Sequence, residues 1–451
     1  MKEALINIFK IEELKKKIFI TLALLIVYRI GCFIPTPGVD TFALSQYFEK
    51  LAKSGMQTLF GIMNLFTGGA LMKSSIFALG IMPYISSSII MQFLVAIIPS
   101  LAQLAKEGKA GYEQINQYTR YLTLILCFVQ GFFLSIWLSN DNNFGGIRIV
   151  PQKGFLFIFT TIITLTAGTV FIMWLGEQIQ ERGIGNGISL IIATSIVSRL
   201  PISLYHLFLL YSPFDPTKRQ ISTLTVVALL VLWIFATAAV IFFTQGQRKI
   251  PIQYGKRIIG RRVYGGQSTY LPIRVDMAGV IAIILAQSVI LFPATIATFF
   301  PKKIWLIRIL QGFLQERGIG YHVFFIILII FFMYFYTAMI FNPTEVANAL
   351  KKNGGIIPGI PTGRPTAQYL DFVTTRIVFL GTLYICAIAV LPNFIMSMFK
   401  VPSYDIASFF GGTTLLILVG VILDTMRQIE GQLFIRHYDG FIKSGSLRGR
   451  R

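Results

Sequence analysis

The sequence carries little charge. Asp, Glu, Lys and Arg make up 13% of its 451 residues, whereas a typical soluble protein has about a quarter. Apolar residues make up 55% of the chain, and the mean hydropathy is +0.70. This composition excludes an ordinary soluble enzyme or binding domain, and it indicates a protein that crosses a membrane several times.

Cysteine and histidine are also scarce, with three of each. Cys32, Cys127 and Cys386 lie in separate apolar segments, so we expect small buried hydrophobic residues rather than a disulfide framework or a metal site. The run RGIGNG at 182–187 lacks the Lys-Ser/Thr and the preceding strand of a phosphate loop, so we interpret it as a tight turn that opens a helix. No cofactor and no enzymatic activity are expected.

Stretches of about 20 apolar residues, long enough to cross a bilayer, recur along the chain. We predict ten transmembrane helices, at 18–34, 76–98, 118–138, 155–175, 188–200, 221–243, 277–297, 322–342, 372–391 and 407–423. None of these spans contains Asp or Glu. Ion- and proton-coupled transporters commonly place ionisable groups at this depth, so the spans argue against a coupled pump.

Basic residues predict the orientation of the chain, because cytosolic loops are enriched in Lys and Arg. With the N-terminus inside, most of the 40 Lys and Arg fall on the cytosolic side, and both termini are predicted to be cytosolic. Attraction to anionic lipid explains much of the net charge of +21. It does not explain the length of the basic segment 244–276.

Three segments have compositions that are better suited to accommodating a guest molecule than to packing tightly against other helices. Residues 56–73 are mildly apolar and punctuated by glycine, which fits either an interfacial helix or a re-entrant segment. The second and seventh spans instead carry polar groups, namely Ser86, Ser87, Ser88 and Gln92 in one and Gln287 and Ser288 in the other. Such groups either form hydrogen bonds between the two helices or line a seam that opens toward a guest.

Seven long, irregular motifs follow one another along the chain. They are SIFALGIMPYISSSIIMQFL (75–94), QYTRYLTL (117–124), MWLGEQIQERGIGNGISL (173–190), GRRVYGGQSTYLPIRV (260–275), MAGVI (277–281), ILFPATIA (290–297) and FNPTEVANALKKNGGIIPGI (341–360). The set resembles the bacterial SecY family, the channel subunits of protein-secretion translocons, over about residues 10–440. The resemblance implies an all-α polytopic membrane protein whose ten helices form two inverted halves, closed like a clamshell around an hourglass pore.

The resemblance also implies how the chain is divided. The divisions are an N-terminal half at 1–210 with a plug helix near 57–72, a C-terminal half at 211–425 with cytosolic loops at 244–276 and 342–371, and a cytosolic tail at 426–451. A lateral gate would lie between the spans that begin near 76 and 277. Pro83 is expected to bend the chain where the plug segment turns into the second span.

Six isoleucines match the apolar constriction of the family's pore. They are Ile81, Ile85, Ile188, Ile192, Ile284 and Ile417. Without the resemblance, pairs such as Ile81 and Ile85, four residues apart on one helical face, would be interpreted as lipid-facing. A collar of β-branched side chains holds its shape and resists water and ions by dewetting.

The family's partners are expected as well. They are SecE and SecG, the SecA ATPase, the ribosome, the accessory proteins SecD/SecF and YidC, translocating polypeptides with their signal sequences, and membrane lipid. SecA or the ribosome would dock on the cytosolic loops, through Arg248, Lys249, Lys256, Arg257, Arg261, Arg262 and Arg364. The implied location is the bacterial inner membrane.

The sequence departs from the family pattern at several positions. Pro361 stands where the family commonly has an arginine, so either Arg364 reaches back or the contact with the motor differs. Ala282 replaces a proline beside the predicted gate, and TQGQR at 244–248 replaces the family's ERGQR.

The implied function is to pass unfolded secretory polypeptides across the membrane and to release apolar segments sideways into lipid. A small-solute transporter with inverted repeats is one alternative, but the spans lack the acids such a protein commonly uses. An insertase or scaffold without a pore is the other. Labelling of cysteines introduced at Ile81 or Ile284 would distinguish it, because only a channel provides an aqueous pathway there.

Overall fold

The computed structural model of the protein describes residues 11–53, 64–211, 221–254, 257–259, 262–264, 268–299, 319–399 and 404–444. Most of these residues are helical. The helices are α1 Glu12–Gly31, α2 Thr41–Lys53, α3 Met82–Ile97, α4 Pro99–Lys106, α5 Lys109–Ser139, α6 Phe155–Arg182, α7 Gly187–Tyr211, α8 Thr223–Gln245, α9 Gly279–Phe299, α10 Ile319–Ile340, α11 Pro343–Lys352, α12 Arg364–Phe399, α13 Tyr404–Phe410 and α14 Gly412–Ser444. The strands are β1 Gln247–Tyr254, β2 Arg257–Ile259, β3 Arg262–Tyr264, β4 Ser268–Arg274 and β5 Gly355–Ile356.

Each of the ten predicted spans coincides with a helix. Within the described residues, 7 helices are long and apolar enough to cross a membrane, and the count becomes 8 if α3 and α4 form one bent span. The remaining two are α1, whose first turns contain the lysines of KKK at 15–17, and α9, which is apolar over Gly279–Ile290. The fifth span is longer than predicted, because α7 continues for 25 residues through Pro201.

The chain bends where α3 meets α4, not at Pro83. Pro83 lies in the first turn of α3, where a missing backbone N–H leaves no hydrogen bond unmade, so the helix begins there without bending. The bend between α3 and α4 is 100°. It falls at Ile98, whose backbone is extended because Pro99 follows it.

The basic segment 244–276, which connects two predicted spans, contains β-strands, and these are an exception to the all-α prediction. β1 pairs with β4 in an antiparallel register from Gln247 opposite Arg274 to Gln253 opposite Ser268. β5 pairs with the end of β1, while β2 and β3 form a separate hairpin. Ile250 and Ile252 are buried and alternate with exposed residues, the period of two that fits a half-buried strand.

One apolar cluster runs through the bundle and includes residues from both predicted halves. Helices α3 and α5 pack against α9, and α7 packs against α14, so the two predicted halves are in contact at these places. Cys32 and Cys127 are buried and Cys386 is half-buried, all with free thiols.

Residues 57–63 of the predicted plug lie outside the described residues. Residues 64–66, which follow, are helical and lead into a series of turns that ends at residue 81. We call residues 64–81 the buried turn. Asn64 is fully buried, and its side-chain oxygen accepts the backbone N–H of Met72 at 3.1 Å. Ser75 in the same stretch pairs with Pro35, which ties the turn to the chain that leaves α1.

Candidate functional site

The six predicted ring isoleucines come from four helices. Ile81 caps the beginning of α3 and Ile85 lies in its first turn, while the others belong to α7, α9 and α14. Five of them are buried in the large apolar cluster, and Ile188 packs against it half-buried. The fold therefore brings all six to the same core. That they form a collar remains a prediction.

The buried turn is held by polar side chains from α1 and α7. Arg29 in α1 donates from Nη1 to the carbonyl of Gly68 at 3.1 Å, and the hydroxyl of Tyr28 lies 3.5 Å from the carbonyl of Thr67. Gly68 has a φ of +63°, and a Cβ there would meet Arg29 at 2.8 Å and the backbone of Ser195 at 3.1 Å. The turn thus fits closely between α1 and α7.

Two arginines lie beside the buried turn, and a third cation, Lys73, belongs to the turn itself. Besides Arg29, Arg199 in α7 donates to the sulfur of Met72 at 3.7 Å, and the Lys73 ammonium lies 3.6 Å from the ring centroid of Phe33. Burial, together with Arg29 and Arg199, holds the pKa of Lys73 below its usual range. The sequence signal was the presence of basic residues inside the first and fifth spans, to which no role was assigned.

The predicted gate helices, α3 and α9, are in contact, but the polar side chains do not join them. Ser87 donates to the carbonyl of Pro83 at 2.8 Å and Gln92 donates to Ser88 at 3.3 Å, both within α3. On α9, the buried Oε1 of Gln287 and Oγ of Ser288 accept no hydrogen bond from any described residue.

The expectation of hydrogen bonds between the two helices is therefore wrong for this conformation. The physical reason is local: a serine in a helix can bond to the carbonyl four residues earlier, so it needs no partner on another helix. The other interpretation, a seam that opens and exposes its polar groups to a guest, remains a prediction.

Aromatic rings, not polar groups, join α3 to a neighbouring helix, α10. The ring of Phe93 in α3 lies against those of Phe331, Phe332 and Phe335 in α10, with centroid distances of 6.2, 5.9 and 4.8 Å. Sequence reasoning missed this cluster. Its signal was the dense run FFMYF at 331–335, which was interpreted only as part of a hydrophobic span.

A carboxylate at the beginning of α9 was also missed. Asp276 accepts the backbone N–H of Gly279 at 2.8 Å, and it follows directly on the sheet that ends at Arg274. Burial raises its pKa to about 6, and the nearby Asp424 acts in the same direction, whereas the bond from Gly279 and the guanidinium groups of Arg427 and Arg274 oppose the rise. An Asp three residues before a helical Gly is a capping signal.

The predicted docking residues fall on the sheet and on the beginning of α12. Arg248 and Lys249 are exposed neighbours on β1, and successive side chains of a strand point to opposite faces. Lys256 and Arg261 lie outside the described residues, and of Arg257 and Arg262 only the backbone in the β2–β3 hairpin is described. This hairpin was predicted as part of a loop.

The departure at Pro361 lies in a turn that the next helix stabilises. The hydroxyl of Thr366 donates to the carbonyl of Pro361 at 2.7 Å, and Arg364, the first residue of α12, is exposed. Arg364 is therefore available to a partner, although it stands three residues after the family's arginine.

Comparison with known proteins places the chain. The family model described as SecY matches residues 75–426. The chain belongs to the SecY family. Protein translocase subunit SecY of Escherichia coli strain K12 is 45% identical over 441 residues, covering 97% of this chain and 96% of the relative.

Solved structures agree on the fold of this SecY family member. A structure described as that of a protein conducting channel has a TM-score of 0.62 at 18% identity, covering 96% of this chain and 95% of its own. Sec61 in the canine ribosome-channel complex from the endoplasmic reticulum has a TM-score of 0.60 at 18% identity, with the same coverage. The fold class implied by the motifs, a helical membrane channel, is thereby confirmed.

Proposed function

We propose that this chain is the channel subunit of a bacterial protein translocase, which passes unfolded secretory polypeptides across the membrane and releases apolar segments into lipid. The observation that carries the proposal is the 45% identity to a translocase subunit over 97% of the chain. A likeness of that extent to one protein exceeds what a shared membrane architecture produces, so it favours the channel over a small-solute transporter or a scaffold.

The pore proper would be the collar of the six ring isoleucines. An apolar constriction repels water and ions by dewetting, yet a polypeptide can wedge it open because no strong bond has to break. The buried turn, packed between Tyr28 and Arg29 on one side and Ser195 on the other, would supply the seal beside it. Its displacement by a guest breaks only a few hydrogen bonds, worth about 0.5–1.5 kcal/mol when both groups are neutral and about 1.5–3 kcal/mol for the bond from Arg29.

Sorting at the gate would be thermodynamic. Leu, Ile, Phe and Val gain about 0.3–0.6 kcal/mol each at mid-membrane, whereas Asp, Lys and Arg cost about 2.5–3.5 kcal/mol. A sufficiently apolar segment would leave between α3 and α9 into lipid, and a polar segment would continue through. The unpartnered oxygens of Gln287 and Ser288 would then accept hydrogen bonds from the guest or from water.

The energy would come from a partner on the cytosolic face. The exposed Arg248 and Lys249 on β1, with Arg364 on α12, present positive charge that suits an acidic protein surface or RNA phosphate. We assign SecA or the ribosome to this face, SecE and SecG to the membrane as subunits, and SecD/SecF and YidC as accessory partners. Both termini would be cytosolic and the membrane would be the bacterial inner membrane, on the basis of the charge distribution.

The test is protease protection of a secretory precursor added to vesicles that contain this chain with SecE, SecG and SecA. The expected result is protection that requires ATP. If the precursor is not protected although the chain is correctly inserted and SecA comes from the same organism, the proposal fails. The cognate SecA removes a motor mismatch at Pro361 as an explanation.

A further inference from the structure

Four phenylalanine rings join α3 to α10, and we call them the aromatic clasp: Phe93, Phe331, Phe332 and Phe335. All three centroid distances from Phe93, between 4.8 and 6.2 Å, fall in the range of attractive ring pairs. Phe331 and Phe335 also stack on each other at 5.8 Å. Phe93 is thus the single residue of α3 on which three rings of α10 converge.

The clasp extends from the core to the surface of the bundle. Phe332 is 1% exposed, whereas Phe331 is 49% exposed on the side of α10 that faces away from the core. Helix α10 packs on α9, so the clasp connects α3 to the α9–α10 pair, that is, to the other side of the proposed gate. A segment that leaves the interior between these helices has to displace Phe93 from the rings.

Ring packing, not hydrogen bonding, holds this part of the gate. None of the hydrogen bonds among the described residues joins α3 to α9 or α10, since Ser87 and Gln92 bond within their own helix. Lipid tails are as apolar as the side chains, so helices in a bilayer gain little from burying apolar surface as such. Specific packing of the four rings therefore contributes a larger share of the contact than it would in water.

We propose that Phe93, through the aromatic clasp, sets how apolar a segment of the transported chain must be to open the gate. The inference rests on the proposed function. A guest with Leu or Phe side chains replaces much of the contact that opening breaks, because dispersion contact with the separated rings does not require one particular partner. A more polar guest replaces fewer of them, and the gate stays closed. A smaller side chain at position 93 makes fewer contacts with the rings of α10, so the guest has fewer contacts to replace.

The experiment measures a threshold, not total activity. Vesicles with the complete translocase receive precursors whose signal segments contain a graded number of leucines, and protease protection is scored for each. With Phe93→Ala, marginal signals should be protected roughly two- to tenfold more efficiently, as expected from the worth of about one ring pair, while strong signals remain unchanged. Phe93→Tyr keeps the ring and should restore the original threshold.

Two further variants separate the clasp from general damage. Phe335→Ala should shift the threshold in the same direction, and the double variant with Phe93→Ala should shift it less than the sum of the two. Phe379→Ala removes the same side chain from a 57% exposed position on α12 and should change nothing. A channel that translocates strong signals normally but keeps its threshold in both clasp variants would refute the clasp alone. Absence of any ATP-dependent protection with the unaltered chain would instead refute the proposed function.

Discussion

The hydroxyl of Tyr28 in α1 lies 2.6 Å from the hydroxyl of Ser195 in α7, and both are buried. The pair spans 167 positions of sequence and lies directly beside the buried turn, whose Thr67 carbonyl is 3.5 Å from the same Tyr28 hydroxyl. Two helices and the turn therefore share one polar contact inside an otherwise apolar bundle.

Ser195→Ala should destabilise the protein more than Tyr28→Phe. When the Tyr28 hydroxyl is removed, Ser195 still donates to the carbonyl of Ile191 at 2.9 Å, so the cost is about 0.5–1.5 kcal/mol. When the Ser195 hydroxyl is removed, the buried Tyr28 hydroxyl keeps only its long contact to Thr67, which costs about 1–3 kcal/mol. Thermal unfolding of the purified complex measures both, and equal losses would contradict the assignment.

Gly68→Ala should make the resting channel leak ions. Its φ of +63° strains any side chain, and the new Cβ would also collide with Arg29 and Ser195. Gly69→Ala is the matched control, since φ is +92° there but nothing lies within 4 Å of the new Cβ. The measurement is ion efflux from vesicles without precursor. If both variants leak alike, backbone strain and not the close fit of the turn is responsible.

Removal of unpartnered polar groups from α9 should raise the threshold for release. Ser288→Ala and Gln287→Leu delete buried oxygens that accept no hydrogen bond from the described residues in the closed conformation, so the closed state gains stability relative to the open one. Marginal signals should then be protected a few-fold less efficiently. Ser87→Ala is the control, because that hydroxyl is already bonded within α3. A threshold that moves with Ser87 but not with Ser288 would overturn the gate assignment.

Asp276 should make the protein more stable in mild acid. Burial raises its pKa in the folded protein from 3.8 to about 6, so between these values the folded state binds the proton more tightly than the unfolded state. The contribution is complete below about pH 3.8 and is lost as the pH rises through about 6. The Tm of the unaltered protein minus that of Asp276→Asn should therefore decrease from about pH 4 to about pH 7. Asp371→Asn, which removes a carboxyl group from an exposed position on α12, is the matched control.

Arg261→Glu combined with Arg262→Glu should weaken ribosome binding in a salt-dependent manner. Loss of a phosphate contact lowers the slope of log affinity against log salt by about 0.7–0.9, so the difference should be largest at low salt. Arg148→Glu, an exposed position in the segment predicted to lie on the other side of the membrane, is the control. Unchanged affinity at low salt would remove both arginines from the docking site.

The sequence by itself determined the membrane architecture. Long apolar runs, the lack of acids within them and the bias of Lys and Arg toward alternate loops are local properties, so they predict helices and orientation without knowledge of the fold. Family motifs added the positions of the ring, and the structure brings those isoleucines from four helices to one core. The sheet formed by β1 and β4 was not predicted, because its alternation of buried and exposed residues is short and is interrupted by basic residues.

Only the tertiary structure decided which side chains meet. The serines of α3 were candidates for hydrogen bonds to another helix. A serine in a helix can instead donate to the carbonyl four residues earlier, and Ser87 does so. Phe93 and Phe335 are separated by the whole middle of the chain, and nothing near either in sequence indicates the other. The same holds for Tyr28 and Ser195. Hydrophobic periodicity predicts that such residues lie in spans, but contacts between spans depend on how the helices pack.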